Sequence, residues 1–236
     1  MKLWQILILS ILICGCTTVT HNTQPKVESN DIDKAESRIT LGLGYLKNGN
    51  MVKALENLER ASSHAPDYYR TMLSMAHYYD KVGETHKAHR AYQDALDEHD
   101  DNGHVLNNYG AFLCKIGEYS KADRFFNRAT QAKQYYLVSA SYENAGLCAL
   151  KYRNLYRAKQ YFLKAVEHDP QRVRSLLQLT RLEIDAGDFS QARLRLTKFH
   201  RDYGYQQTSL KLLVDLEKRA GNLAMAQKYR SMLATQ

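Results

Sequence analysis

The order of small and bulky residues between Leu106 and Ala129 constrains this chain more than any other feature. Leu106, Tyr109, Gly110 and Leu113 fall three, four and seven residues apart, which places them on one face of a helix. Gly117 ends that helix, because glycine enters the backbone of a tight turn at no steric cost. Ala122, Phe126 and Ala129 supply the matching face of a second helix. Gly110 and Ala122 remove bulk where the helices approach, and the aromatic rings fill the remaining space. The stretch predicts a helical hairpin.

The pattern recurs, with Ala88 and Ala54 preceding Ala122 at intervals of 34 residues. Ala76, Tyr79, Gly83 and Tyr92 accompany Ala88, and Gly42, Tyr45, Gly49 and Leu58 accompany Ala54. After an insertion of Leu137 and Val138, the same register gives Ala145, Gly146, Ala158 and Phe162, then Leu179, Gly187 and Ala192, then Leu213, Gly221 and Ala226. This residue order resembles the tetratricopeptide repeat, whose period is about 34 residues. The predicted class is all-α, a right-handed superhelix of about six tetratricopeptide hairpins at 35–68, 69–102, 103–136, 139–172, 173–206 and 207–236. No such hairpin buries its apolar face alone, so the array is stabilised by stacking of neighbours. Two of the three prolines, Pro66 and Pro170, close repeats.

Residues 1–15 are of another kind. Lys2 is their only charge and Leu3 to Cys14 is almost wholly apolar, which predicts a signal peptide, too short for the ~20 apolar residues of a spanning helix. Leu12-Ile13-Cys14-Gly15-Cys16 resembles a bacterial lipobox, which implies cleavage before Cys16 and acylation of that residue. Thr17 after the cysteine implies sorting to the outer membrane, with the chain lipid-anchored on the periplasmic face. Several acyl chains at ~0.8 kcal/mol per buried methylene make such anchoring permanent. Residues 16–34 are polar and lack a helical stripe, and are expected to form a flexible tether.

Charge is uneven. Residues 16–150 carry 15 Lys and Arg against 17 Asp and Glu, whereas residues 151–236 carry 17 against 8. Arg193, Arg195, Lys198 and Arg201 form a basic cluster, and Asp94, Asp97, Glu98, Asp100 and Asp101 an acidic one. A basic surface suits an anionic envelope component, an acidic partner, or plain solvation of a helical face. Nucleic acid is not expected to meet a secreted lipoprotein.

No catalytic constellation emerges. His86 and His89 lie three apart, but no set of cysteines or carboxylates completes a metal site at recognisable spacing, and there is no glycine-rich phosphate loop or nucleophile elbow. The expectation is a non-enzyme with no cofactor, no metal and no small-molecule substrate. Cys114 and Cys148 occupy the first helices of adjacent repeats, which pack side by side. In an oxidising compartment they are expected to form a disulfide; the alternative is two buried thiols acting as small hydrophobes.

Tetratricopeptide arrays bind partners along the inner side of their first helices. That resemblance assigns Ile39, Leu43, Leu46, Leu73 and His77 to a partner-binding groove, continued by His104, Asn107, Ala111 and Lys115. Apolar residues exposed there mark a partner site, unless the tether or a second copy covers them.

The run from Asn107-Asn108-Tyr109-Gly110 to Cys114, the phrase from Glu143 to Leu150, and the closing segment 164–170 are similar to the PilF/PilW family of type IV pilus lipoproteins. The lipobox, tether and repeat number match as well; Thr180, Glu183 and Arg230 depart from the repeat pattern. The resemblance implies a pilotin or pilus stability factor whose partner is the outer-membrane secretin, with contact to the membrane through the N-terminal lipid. Two other roles remain open: a general adaptor for envelope or peptidoglycan enzymes, and a hydrolase concealed in a helical scaffold.

Overall fold

The structure, a computed structural model, describes residues 30–235. The predicted signal peptide, the acylation site at Cys16 and most of the predicted tether lie outside the described residues. Among these residues twelve helices follow one another: α1 (Asp31–Lys47), α2 (Met51–His64), α3 (Tyr69–Lys81), α4 (Thr85–Glu98), α5 (Gly103–Lys115), α6 (Tyr119–Gln131), α7 (Val138–Lys151), α8 (Leu155–His168), α9 (Val173–Asp185), α10 (Phe189–Tyr203), α11 (Gln207–Arg219) and α12 (Leu223–Ala234). They pair as six antiparallel hairpins stacked in a tetratricopeptide-type superhelix. No described helix is long and apolar enough to cross a membrane.

Helix α1 begins at Asp31, so residues 31–34, predicted as tether, belong to the helical array. The Asn30 side chain accepts a hydrogen bond from the Asp33 amide at 2.8 Å, and Asp31 and Asp33 lie in the first turn of α1. A side-chain cap and acidic residues at the positive end of the helix dipole both favour a helix start here.

Within each hairpin, the eighth residue of the repeat sets how closely the two helices approach. A Cβ on Gly42 would lie 2.8 Å from Leu58, one on Gly110 3.0 Å from Phe126, and one on Gly146 2.7 Å from Phe162. These positions admit glycine because the partner helix fills the space a side chain would need. The hairpin turns use left-handed backbone at one fixed position. Gly117 has φ 89° there, and the fourth turn places Arg153 in the same region at φ 58°.

The inserted residues lengthen the connection between α6 and α7. Tyr135 in this connection is buried against Leu106 and Ala129, covers Gly103, and shares a 2.9 Å hydrogen bond with Ser141. Its neighbour Tyr136 is 79% exposed. Cys114 of α5 and Cys148 of α7 are joined as a disulfide with Cα atoms 5.8 Å apart, inside the central core built on Tyr92, Tyr109, Phe112 and Phe126.

Candidate functional site: a cleft on the first helices

The first helices of the first three hairpins line an open cleft of about 470 Å³. Helix α1 contributes Leu43, α3 contributes Tyr69, Arg70, Leu73, Ser74 and His77, α5 contributes His104 and Asn108, and the α6–α7 connection contributes Tyr136. The α3 residues recur at helical spacing and so share one face. The rest of the buried stripe of α3, Thr71, Ala76 and Tyr78, packs toward its neighbours, with buried Ser74 at the margin of the cleft.

The cleft has an aromatic end and an apolar floor. The His104 imidazole stacks on Tyr69 with centroids 5.4 Å apart and meets the edge of Tyr136 at 5.7 Å. Leu43 and Leu73 are half-buried below them. Arg70 pairs with Glu36 at 2.8 Å, and Glu36 also accepts from the Tyr68 hydroxyl at 2.6 Å. Burial together with that hydrogen bond pushes the Tyr68 phenol up to about 12. Burial depresses the imidazole of His104, with Arg70 adding to the effect. Burial likewise depresses His77, with Lys81 and Lys115 acting in the same direction and Asp80 opposing them. Both imidazoles are therefore neutral at pH 7 and able to donate and accept. The Asn108 amide donates to the His104 carbonyl at 2.8 Å, which leaves its Oδ1 as an acceptor. Apolar floor, aromatic wall and neutral hydrogen-bonding groups suit an extended segment of another protein. Among the described residues, no group of three His, Cys, Asp or Glu side chains could hold a metal ion.

The structure brings Leu43, Leu73, His77 and His104 together here, and places Ile39, Leu46, Asn107, Ala111 and Lys115 outside the cleft lining. Ile39 and Leu46 are corrected to core positions: Ile39 is 1% exposed against Ala35, Ala61 and Ala65, and Leu46 is 7% exposed against Ala54, Leu58 and Tyr78. The stripe Ala35, Ile39, Gly42, Leu46 is the face of α1 that packs on its neighbours, so neither leucine nor isoleucine is available to a partner. Asn107 accepts from Ser141 at 3.0 Å and Asn144 at 3.1 Å, tying α5 to α7 rather than lining the cleft. Ala111 is exposed on α5 but lies outside the cleft lining. Tyr69 and Tyr136 were not legible as site residues; the two-residue insertion was the only signal for Tyr136.

The basic cluster also needs correction. Arg195 makes paired hydrogen bonds of 3.0 and 2.7 Å to Glu183, and Arg193 makes 2.8 and 2.9 Å bonds to Glu217. Both glutamates are buried, at 2% and 3% exposure. The Arg193 hydrogen bond holds the Glu217 carboxyl below the usual carboxylate range against the opposing effect of burial. Half of the expected basic patch is thus internal ion pairing. The signal was present in the sequence, since Glu183 and Glu217 share one repeat position that holds Tyr45, Tyr79, Leu113 and Ala149 in the first four hairpins.

Six stacked hairpins with an open cleft on their first helices define a tetratricopeptide-repeat scaffold. No protein-family model matches the chain. PilF of Pseudomonas aeruginosa, a type IV pilus assembly protein, is 28% identical over 213 residues, covering 90% of this chain and 84% of PilF. The solved structure of Pseudomonas aeruginosa PilF matches with TM-score 0.73 and 28% identity over 86% of this chain and 91% of its own. PilW, a widely conserved type IV pilus biogenesis factor, matches in fold with TM-score 0.73 at 24% identity, over 86% of this chain and 93% of its own. An uncharacterized Haemophilus influenzae protein is 36% identical over 115 residues, 49% of this chain and 64% of that protein, so the match spans under two thirds of that relative. The chain is a tetratricopeptide-repeat protein similar to PilF along most of its length and to PilW in fold.

Proposed function

We propose that this chain is a type IV pilus biogenesis factor that works by holding a partner protein rather than by catalysis. The observation that carries this reading is the similarity to PilF, in sequence along 90% of the chain and in fold along 86% of it. In this reading the chain is lipid-anchored through Cys16 on the periplasmic face of the outer membrane, where it assists assembly of the secretin ring or stabilises the fibre. The cleft between α1, α3 and α5 takes a segment of that partner. The Cys114–Cys148 bond links the third and fourth hairpins at the junction the insertion interrupts.

A deletion strain tests the reading. Surface pili and twitching motility should be lost, and restored by the wild-type gene. Cys16→Ser should fail to restore them and should take up no fatty-acid label. Normal piliation in the deletion strain would contradict the proposal and favour an adaptor for other envelope enzymes.

A further inference from the structure

A second cleft lies at the other end of the array, on the face formed by the second helices. It measures about 410 Å³ and runs between α10 and the end of α8, with Val166, Pro170 and Leu176 on one side and Leu194, Lys198 and Arg201 on the other. It opens where the hairpin pattern changes. Of the six hairpins the fifth has its two helices least closely packed. The eighth repeat position, Gly or Ala in the first four hairpins, is Thr180 here, and the alanine that closes those hairpins is replaced by Phe199, 2% exposed. Added bulk at both points holds α10 away from α9.

An independent feature marks the same place. The repeat position of Leu194 is Glu56, Arg90, Arg124, Gln160 and Lys228 in the other five hairpins, all of them exposed. Only the fifth hairpin carries an aliphatic residue there, and Leu194 is 66% exposed. Beside it Lys198 makes no ion pair or hydrogen bond among the described residues. Arg201 pairs only with its neighbour Asp202, at an exposed site where such a pair is worth little. An exposed leucine over an apolar slot, with Lys198 beside it and Arg201 held only by Asp202, sits within residues 151–236, whose net charge is +9.

We propose that this cleft is a docking slot for a partner protein segment that carries a bulky apolar side chain between acidic residues. The apolar side chain enters against Val166, Leu176 and Leu194, and the flanking carboxylates meet Lys198 and Arg201. A concave slot of this volume receives side chains, whereas a lipid surface is met by protruding groups, so a peptide fits the shape better than a membrane. This site is distinct from the cleft on the first helices and does not depend on it.

The test uses the mature chain with its disulfide intact and a fluorescein-labelled hexapeptide, a central Leu-Phe pair with two acidic residues on each side. Binding is followed by anisotropy, with a lysine-flanked peptide and phosphatidylglycerol vesicles as comparison probes. The acidic peptide should bind, more weakly as salt rises. Leu194→Ser and Lys198→Glu should each weaken it about tenfold, while Leu73→Gln in the other cleft should leave it unchanged. Both Leu194 and Lys198 are exposed, so circular dichroism and melting should match the wild type. No binding at about millimolar peptide, equal binding of the lysine-flanked peptide, or indifference to both substitutions would each overturn the proposal. So would vesicle binding that is lost in Lys198→Glu without peptide binding, which would assign the patch to a lipid surface.

Discussion

The first four hairpins and the last two solve the same packing problem with different residues. In the first four, Gly42, Ala76, Gly110 and Gly146 let the paired helices close on Leu58, Tyr92, Phe126 and Phe162. In the last two, Thr180 and Val214 stand at that position, and the buried carboxylates of Glu183 and Glu217 are held by Arg195 and Arg193. The difference shows how little sequence is needed to set helix spacing within a fixed repeat. It also shows that the basic surplus of residues 151–236 is partly structural. The first region offers a cleft on its first helices whose one cation, Arg70, is paired with Glu36, and the second a slot along α10 that carries Lys198 and Arg201.

The disulfide belongs to the first region and should give the largest effect. Reduction of a bond closing a separation of 34 residues should cost about 3–4 kcal/mol by loop entropy. The matching observation is a lower melting temperature for reduced protein and no free thiol in the denatured, unreduced mature form. Two freely alkylatable thiols would remove this stitch from the comparison.

Next in size is the ion pair of the second region. Arg195→Ala strands Glu183, which is 2% exposed, and should destabilise the chain by about 3 kcal/mol. The double replacement Glu183→Leu with Arg195→Met should recover most of that loss in chemical denaturation. If the single change costs under about 1 kcal/mol, solvent already reaches the pair and the two regions are less different than their packing implies.

Exchanging the spacing residue isolates the other half of the contrast. Gly146→Thr brings the residue of the fifth hairpin into the fourth, where even a Cβ would lie 2.7 Å from Phe162, and should cost about 2–3 kcal/mol. Thr180→Gly should cost about 1 kcal/mol, the ordinary penalty for glycine within a helix. Equal costs at the two sites would mean that this position does not set the spacing.

Repeat periodicity made the fold legible, because small residues at fixed intervals leave few ways to pack a helix pair. The cleft was only half legible. Spacing on α1 identifies apolar residues but does not say which face meets α2, so Ile39 and Leu46 were assigned to a partner when they belong to the core. Tyr136 reaches His104 only through the path of the inserted connection, a tertiary effect with no periodic signature. The burial of Glu183 and Glu217 is not legible for the opposite reason: acidic residues on a helix usually face solvent, and their burial depends on arginines in other helices.

Acidification should separate the regions by a smaller margin. Burial depresses His77 and His104 in the first region and His200 in the second. For such groups the unfolded chain binds protons first, so stability is full above the ordinary imidazole value of 6.5 and declines as pH falls below it. Glu217 adds a second loss confined to the last two hairpins: its folded carboxyl lies below 4.5, so its contribution is present above that pH and disappears as pH falls through the folded value. Hydrogen exchange from pH 7 to 3 should show α11 and α12 opening further below pH 4.5 than α1 to α3 do. His104→Gln should flatten the decline just below pH 6.5 without altering the one below 4.5.

The claim that the first-helix cleft holds the partner is tested most directly by secretin multimers on an unboiled gel from cells carrying Leu73→Gln with Tyr136→Asp. Tyr136 is 79% exposed and Leu73 half-buried, so the doubly substituted protein should remain folded and reach the membrane at wild-type level. Central interface side chains carry about 2 kcal/mol or more each, so multimers should fall sharply and pili with them. Normal multimers and normal piliation with this folded, correctly placed protein would contradict the assignment of the cleft.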